Sequence, residues 1–305
     1  MGRASDRRTV TRIDLSGTSV RRQDALAAEE PLEIRVGHRG RPRRPLAVTM
    51  RTPGDELDLA LGFLFTEGVI TSPSDVLTAQ LCAGPEVRKG PFLSLSVGEG
   101  PLLNATEELA EEEAGGGYNV VDVVLGDQVA APDAGVERNF YTTSSCGVCG
   151  KASIDAIRVR SRHDVAADPL RVAATLLGEL PDRLRRAQRT FERTGGLHAA
   201  GLFTAAGELV SVREDVGRHN AVDKVIGAAL QAGRLPLAGH VLLVSGRASF
   251  ELTQKAWLAG IPVLAAVSAP STLAVDLAEE AGMTLVGFLR GQTMNVYTRP
   301  DRITP

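Results

Sequence analysis

Residues 240–288, HVLLVSGRASFELTQKAWLAGIPVLAAVSAPSTLAVDLAEEAGMTLVGF, decide the fold of this chain. Short apolar runs at His240–Val244, Val263–Val267 and Thr284–Phe288 alternate with the helix-compatible segments Ser249–Leu258 and Ser271–Ala281. Strands that are apolar on both faces and alternate with helices are typical of a parallel sheet with helices on both sides. The pattern therefore predicts an α/β domain.

The chain ahead of this stretch contains further predicted elements, and those before residue 140 predict a second, smaller unit that is rich in strands. Strands are predicted at Leu32–Val36 and Leu46–Met50, which form a hairpin, and at Phe92–Val97, Val120–Val124, Leu197–Phe203 and Glu208–Val212. Helices are predicted at Glu56–Gly68, Asp168–Arg186 and His219–Leu230. We therefore expect an N-terminal α+β domain at residues 31–140 and a C-terminal α/β domain at residues 152–305.

Composition limits the classes of protein to which the chain can belong. It has 305 residues, 43% of them hydrophobic, a formal net charge of -3 and only three cysteines, which is not a disulfide framework. It has no apolar segment of a signal peptide or membrane helix, so we expect a cytoplasmic protein with neither membrane nor nucleic acid as partner. Residues 1–30 are polar and rich in Arg, and we expect a flexible tail there.

Two of the cysteines lie close together in Cys146-Gly147-Val148-Cys149-Gly150. Glycine neighbours predict a mobile loop over residues 141–151, and nearby Lys151 favours a thiolate. The spacing fits a zinc half-site, a dithiol oxidoreductase or a sulfur carrier. A zinc site is disfavoured because the chain lacks a second ligand pair, and Cys82, among apolar neighbours, is interpreted as inert.

The segment Val212-Arg213-Glu214-Asp215-Val216-Gly217-Arg218-His219-Asn220-Ala221-Val222-Asp223-Lys224 is dense in charge at a strand-to-helix junction. Arg213, Arg218 and Lys224 could bind an anion beside a helix capped by Asn220. The same charges could equally form a structural network of ion pairs. Among the histidines, His198 and His219 are the candidates for a functional role.

Three loops follow the predicted parallel strands of the C-terminal domain. Ser245-Gly246-Arg247 and Ser268-Ala269-Pro270 carry small residues that let backbone amides approach a phosphate, and Phe288–Thr293 adds an aromatic ring and a cation that suit a guanine nucleotide. None of these loops is a Walker or dinucleotide-binding motif. The sequence therefore predicts an anion site at the carboxyl edge of the sheet, although helix caps and a hairpin would look similar.

Several motifs in order resemble those of the formate dehydrogenase accessory sulfurtransferase family (FdhD). They are Thr52–Asp55, Gly62–Gly68, Cys146–Gly150, Arg213–Lys224, Ser245–Lys255 and Thr284–Thr298, so the resemblance covers about residues 31–303. It implies a three-layer C-terminal domain similar to the cytidine deaminase fold, and a homodimer. It also implies a sulfurtransferase that carries persulfide sulfur from a cysteine desulfurase to the molybdenum cofactor, bis-molybdopterin guanine dinucleotide, before insertion into formate dehydrogenase.

The resemblance also implies roles for individual residues. Cys146 would carry the persulfide and Cys149 would assist, with no structural metal. The cofactor, as bound substrate, would contact Phe288, Leu289, Arg290, Gly291, Gln292 and Thr293, and the candidate anion-site residues Ser245, Gly246, Arg247, Ser268, Arg218 and His219 would join them. The alternative is a chaperone that binds the guanine dinucleotide cofactor without transferring sulfur. A deaminase is disfavoured because the chain lacks the His-x-Glu and Pro-Cys-x-x-Cys signature.

Overall fold

The structure is a computed structural model that describes residues 3–82, 119–130 and 161–305. Its strands are β1 (Ser5–Ile13), β2 (Ser19–Ala27), β3 (Glu30–His38), β4 (Arg44–Arg51), β5 (Val76–Cys82), β6 (Val120–Leu125), β7 (Val172–Ala173), β8 (His198–Thr204), β9 (Leu209–Asp215), β10 (His240–Val244), β11 (Val263–Ala266), β12 (Thr284–Arg290), β13 (Thr293–Thr298) and β14 (Ile303–Thr304). Its helices are α1 (Glu56–Thr66), α2 (Ala174–Ala187), α3 (Arg189–Thr194), α4 (Arg218–Gln231), α5 (Phe250–Leu258) and α6 (Thr272–Glu280).

The C-terminal part is a three-layer arrangement around one sheet of order β13-β12-β11-β10-β8-β9. Strands β10, β11 and β12 are parallel and central, whereas β8, β9 and β13 run antiparallel to their neighbours. Successive side chains of a strand point to opposite faces. Accordingly, Val241 and Leu243 pack with α2 in one core, while Leu242 and Val244 pack with α4, α5 and α6 in the other. The predicted α/β class is confirmed.

The N-terminal part is a four-stranded sheet of order β4-β3-β6-β5 with α1 against it. Alternation in β3 buries Leu32, Ile34 and Val36, and these residues belong to the same apolar core as the helices of the C-terminal part. The two sheets therefore share one core. The predicted division into residues 31–140 and 152–305 stays a prediction, because residues 131–160 lie outside the described part of the chain.

Helices α1 and α4 cross at two glycines. A Cβ atom added to Gly62 would lie 1.9 Å from the carbonyl oxygen of Asp223, and one added to Gly227 would lie 1.8 Å from that of Asp58. No side chain larger than hydrogen fits at either position unless the helices separate. The glycines thus fix how closely the N-terminal helix approaches the helix that begins at the sheet edge.

A buried ion pair ties β4 to the junction of β9 and α4. Lys224 Nζ lies 2.8 Å from Asp215 Oδ2 and donates to the carbonyl oxygen of Thr52 at 3.0 Å, and the Thr52 N–H donates to Asp215 Oδ2 at 3.1 Å. All three residues are almost completely buried. Each charged atom therefore has a charged or polar partner, as burial in a medium of low polarity requires.

A second buried ion pair lies where α1, α4 and α5 meet. Lys255 Nζ contacts both carboxylate oxygens of Asp223, at 2.8 and 2.9 Å, and donates to Thr66 Oγ1 at 2.7 Å. Burial alone lowers the pKa of Lys255, but the negative charges of Asp223 and Glu67 outweigh burial and raise that pKa overall. Lys255 is therefore a fixed cation of the core and not a free amine.

The first thirty residues differ from the expected flexible tail. Strands β1 and β2 pair over their full length as an antiparallel hairpin, from Ser5 opposite Ala27 to Ile13 opposite Ser19. The turn closes with a hydrogen bond from Gly17 N to Asp14 O at 2.9 Å. A polar, Arg-rich composition is typical of a solvated tail, but the backbone hydrogen bonds between the two strands do not depend on that composition.

The other predicted elements agree with the structure apart from their ends. The helix predicted from Asp168 begins only at Ala174, because Val172–Ala173 pair with β14, and it continues through Pro181 to Ala187. Leu177, Leu180 and Leu184 are buried along one face and hold the helix together across the proline. The strand predicted at Phe92–Val97 lies outside the described residues.

Candidate functional site

Loops at the carboxyl ends of the parallel strands converge through backbone hydrogen bonds. The Ser268 N–H donates to the carbonyl oxygen of Gly246 at 3.3 Å, and the Phe288 N–H donates to that of Ser268 at 3.1 Å. Parallel strands end at the same edge of a sheet, which brings residues from three separate loops together. We call this region, formed by Ser245, Gly246, Ser268, Phe288, His198, Arg218 and His219, the strand-end edge.

His198 and Arg218 flank Gly246 at the strand-end edge. Strand β8 runs antiparallel to β10, so it begins with His198 where β10 ends. A Cβ atom on Gly246 would lie 3.4 Å from His198 Nδ1 and 3.7 Å from Arg218 Cδ, so the absent side chain leaves room over the loop. Burial lowers the pKa of His198, and the positive charge of Arg218 lowers it further. His198 is therefore neutral at pH 7.

The N-terminus of α4 presents positive charge at the same edge. Its N-cap residue is Gly217, which has no side chain to accept from the amides of the first turn. Beside it, Nε of Arg218 is buried and has no hydrogen-bond partner among the described residues. The helix dipole and this guanidinium together favour an anion.

The prediction that Asn220 caps α4 is wrong. Asn220 lies inside the helix, where its amide donates to Met50 O at 2.8 Å and to Asp215 Oδ1 at 3.0 Å. The Gly217 N–H also donates to Asp215 Oδ1, at 2.8 Å. Asp215 thus organises the turn from the preceding strand, and Asn220 faces inward towards β4.

Two of the three candidate cations have structural partners. Arg213 binds Asp58 through Nε and a terminal nitrogen, at 2.9 and 2.7 Å, and Lys224 is held by Asp215. Of the two interpretations left open by the sequence, the ion-pair network therefore holds for Arg213 and Lys224. Arg218 remains as the cation of this segment at the strand-end edge.

His219 forms a pair that the sequence did not single out. Its Nε2 atom lies 2.9 Å from Glu251 Oε2 and 3.2 Å from Ser249 Oγ, at the N-terminus of α5. A carboxylate can only accept, so Nε2 carries the hydrogen and, in the neutral ring, Nδ1 is the acceptor. An acidic residue two positions after the Ser249 cap was the available sequence signal for Glu251.

The aromatic residue of the third loop is placed by an irregularity in β12. Phe288 has φ 52°, a left-handed conformation, and lies within a bulge between Gly287 and Arg290. Its ring is 40% exposed at the strand-end edge. Arg290 is exposed, and its Nε donates to the carbonyl oxygen of Val267 at 3.1 Å.

The remaining residues of Phe288–Thr293 do not all face the edge. Leu289 is fully buried in the core, because side chains alternate along the strand and Phe288 and Arg290 take the outward positions. The Leu289 side chain is therefore not available to contact a cofactor at the strand-end edge, contrary to what the family resemblance implied. Gly291 and Gln292 form the turn into β13, which begins at Thr293.

One of the three cysteines lies within the described residues, and two do not. Cys146 and Cys149, with Lys151, lie outside the described residues. Cys82 is half-buried and donates to Asp122 Oδ2 at 3.3 Å. Burial raises the pKa of the Cys82 thiol to about 11, and the Asp122 carboxylate adds to that increase. Cys82 is thus a poor nucleophile at neutral pH, as the sequence predicted.

Neither a metal cluster nor a membrane-spanning helix occurs in the described part of the chain. Across residues 3–82, 119–130 and 161–305, no group of three or more His, Cys, Asp or Glu is arranged to hold a metal ion. None of the helices in these ranges is long and apolar enough to cross a membrane. A cavity of about 420 Å³ opens between β9 and α4, but Leu209 and Ala232 place it away from the strand-end edge.

Comparison with known proteins gives three findings. The FdhD/NarQ family profile matches residues 27–304, starting at the last residue of β2. The chain is 56% identical to the sulfur carrier protein FdhD of Streptomyces coelicolor, covering 99% of this chain and 97% of that protein, and 55% identical to that of Mycobacterium tuberculosis, covering both completely. The crystal structure of a protein described as a formate dehydrogenase accessory protein from Desulfotalea psychrophila has the same fold, with a TM-score of 0.72 at 22% identity, covering 99% of this chain and 100% of that one.

Proposed function

The chain belongs to the FdhD/NarQ family, whose relatives compared above are sulfur carrier proteins, and from this premise we propose the route that its sulfur takes. Cys146 accepts persulfide sulfur from a cysteine desulfurase and passes it to bis-molybdopterin guanine dinucleotide, which binds as substrate at the strand-end edge. The loaded cofactor is then inserted into formate dehydrogenase. The protein therefore acts as a sulfurtransferase.

The observation that carries the cofactor part of this proposal is the convergence of an anion site and an exposed aromatic ring. The N-terminus of α4, with Gly217 as its N-cap, and the Nε of Arg218, which has no hydrogen-bond partner in the described part of the chain, suit a phosphate. Phe288 offers a face on which a purine can stack, and Gly246 leaves space for the ligand to approach the backbone. These features match the phosphates and the guanine base of the proposed substrate.

The first sulfur step needs only a thiolate. The Cys146 thiolate attacks the outer sulfur of the desulfurase persulfide, so a new S–S bond forms at Cys146 while the donor S–S bond breaks. The donor cysteine leaves as a thiolate, and no net oxidation occurs. Cys82 does not compete for this sulfur, because its raised pKa keeps it protonated.

Cys149 either assists transfer to the cofactor or resolves the persulfide. In the resolving route, its thiolate attacks the inner sulfur and the outer sulfur leaves as hydrosulfide for the cofactor. The Cys146–Cys149 disulfide that forms is then reduced by a cellular dithiol. A Cys149→Ala protein should accumulate persulfide on Cys146 if this route operates, and should release sulfur more slowly but completely if Cys149 only assists.

Sulfur loading is tested by mass spectrometry. The protein is incubated with desulfurase and L-cysteine, and the intact mass should increase by one sulfur atom. Cys146→Ala should abolish the increase and formate dehydrogenase activation, whereas the matched control Cys82→Ala should retain both. Loading of the Cys146→Ala protein, or no loading of the parent, would contradict the sulfur step.

Cofactor binding is tested with GDP as the probe. Base stacking on an aromatic ring contributes about 1–3 kcal/mol, so Phe288→Ala should weaken GDP binding by about tenfold. Leu209→Ala is the control, because Leu209 is equally exposed at the far end of β9. If GDP binds normally to the parent and no sulfur is loaded, the protein is the alternative cofactor chaperone.

We further propose that the protein is a cytoplasmic homodimer. The FdhD family resemblance implies a dimer, and thiols that carry sulfur need a reducing compartment. Light scattering on the purified protein should give twice the mass of one chain, and cell fractionation should recover it in the cytoplasm. A monomer at micromolar concentration would refute the dimer.

A further inference from the structure

The β1–β2 hairpin projects away from the rest of the described residues. Residues 11–23 are all exposed, and Leu15 at the turn is completely exposed. Two nine-residue strands extend about 30 Å at roughly 3.4 Å per residue. A two-stranded hairpin alone is marginally stable in water, so it needs support at its base or from a partner.

The base of the hairpin is attached beside the strand-end edge. Strand β2 contacts α3, and a Cβ atom on Gly196 would lie 3.4 Å from the Ala27 methyl group, two residues before His198. Helix α3 is held in turn by Glu214, whose carboxylate accepts from the amides of Thr190 and Phe191 at 2.9 and 2.7 Å. A protein bound along the hairpin therefore lies next to the edge where the cofactor is proposed to bind.

The surface of the hairpin is basic and partly apolar. Arg8 and Arg22 pair with Asp6 and Asp24 near the base, at 2.9 and 3.3 Å. In contrast, three arginines form no ion pair among the described residues, namely Arg7, Arg12 and Arg21. The face that carries Arg12 also carries Val10, Val20 and Leu26, whereas Arg7 and Arg21 lie on the opposite face. The tip carries Ile13 and Leu15, both exposed. This combination fits a protein surface that has carboxylates around a small apolar patch.

Nucleic acid and membrane fit this hairpin less well. Residues 5–27 contain no Phe, Tyr or Trp, the side chains that stack on bases or anchor at a lipid interface. Asp6, Asp14 and Asp24 are interspersed with the arginines and reduce attraction to a uniformly anionic surface. The observations therefore favour an acidic protein.

We infer that the β1–β2 hairpin is a docking arm for an acidic surface of the formate dehydrogenase apoprotein, the partner that collects the loaded cofactor. The identity of this partner depends on the proposed function. The choice of recipient over sulfur donor depends on the position of the base, because the protein that takes the cofactor must reach the strand-end edge. We expect sulfur loading itself not to require the hairpin, because the sulfur donor must reach Cys146 and not the strand-end edge.

The test reverses charge at the free end of the hairpin. The variant Arg12→Glu/Arg21→Glu is compared with Arg39→Glu/Arg41→Glu, which makes the same change in net charge at the exposed turn between β3 and β4. Binding of purified formate dehydrogenase apoprotein is measured by surface plasmon resonance, and persulfide loading by mass spectrometry. A milder variant, Arg12→Gln/Arg21→Gln, guards against loss of the hairpin itself.

We expect the hairpin reversal to weaken binding of the apoprotein by about tenfold or more and to remove its salt dependence. The Gln variant should have an intermediate effect, the control should bind like the parent, and all should load persulfide normally. The proposal is overturned if the parent does not bind the apoprotein, if the control loses as much affinity, or if only desulfurase-dependent loading falls. It is also overturned if the reversal impairs binding to RNA or anionic vesicles alone. If the parent binds the apoprotein but takes up no sulfur, the sulfur-carrier proposal fails while the docking arm stands.

Discussion

Replacing Gly227 with Ala should destabilise the protein, against the usual preference of helices for alanine. In an ordinary helix interior, Gly to Ala gains about 0.5–1 kcal/mol. At this crossing the new methyl group would lie 1.8 Å from Asp58 O and 2.8 Å from Gly62 N. A methyl carbon packs at about 3.5 Å from a backbone atom that it does not bond to, so α1 and α4 must separate by about 1.5 Å to relieve the contact with Asp58 O.

The size of the loss follows from the atoms that clash. Overpacking a well-packed core costs about 1–3 kcal/mol, and the upper end applies here because backbone atoms of α1 cannot rotate away. After the helix gain is subtracted, the net loss is about 2 kcal/mol. In a protein of 305 residues, with an unfolding entropy of about 2.1 cal/mol/K per residue, that corresponds to a fall in Tm of about 3 °C.

Calorimetry of Gly227→Ala and Gly62→Ala provides the measurement. The control is Gly196→Ala, whose methyl group would meet only the Ala27 methyl at 3.4 Å and the Thr194 carbonyl at 3.9 Å, and whose Tm should stay close to that of the parent. A Tm of Gly227→Ala equal to or above the parent value would refute the close crossing of α1 and α4.

Three other predictions concern single side chains. Because His198 has a lowered pKa, the unfolded chain binds more protons than the folded one below pH 6.5, so stability should fall as pH drops from 7 to 5. His198→Gln should flatten this fall in a series of Tm measurements, and an unchanged slope would contradict the assignment. In a Cys146→Ser/Cys149→Ser protein, Cys82 should resist iodoacetamide at pH 8 and react only as pH approaches about 11, whereas rapid labelling at pH 8 would show an exposed thiol. Leu289→Ala should cost about 2–5 kcal/mol of stability in urea unfolding, because it empties a core position, whereas Phe288→Ala should leave stability nearly unchanged; equal effects would contradict their opposite orientation.

The sequence predicts the C-terminal sheet well because its signals are local. Apolar runs such as Val241–Val244 and the caps Ser249 and Ser271 act within a few residues of the elements they define. Convergence of their loops then follows from parallel strand direction alone. For this reason the strand-end edge is predictable in outline.

The errors arise where tertiary contacts decide between local options. The family resemblance implies a cofactor contact for Leu289, and the bulge at Phe288, which sets which side chains point outward, leaves no mark in the sequence that would exclude it. The sequence predicts Asn220 as a cap, because the hydrogen bonds that Asp215 accepts from Gly217 and Asn220 form only in the folded turn. The ion-pair partner of Arg213 is 155 residues away along the chain, beyond any local pattern.

The two buried lysines affect the order in which the chain folds. Lys255 meets Thr66, and Lys224 meets Thr52, across 189 and 172 residues respectively, so these buried contacts join the N-terminal part of the chain to the C-terminal part. Contacts so distant in sequence close late and slow the acquisition of native structure. An early fragment that ends before α4 should therefore depend on chaperones, and neither half can be exchanged between homologues as a self-sufficient module.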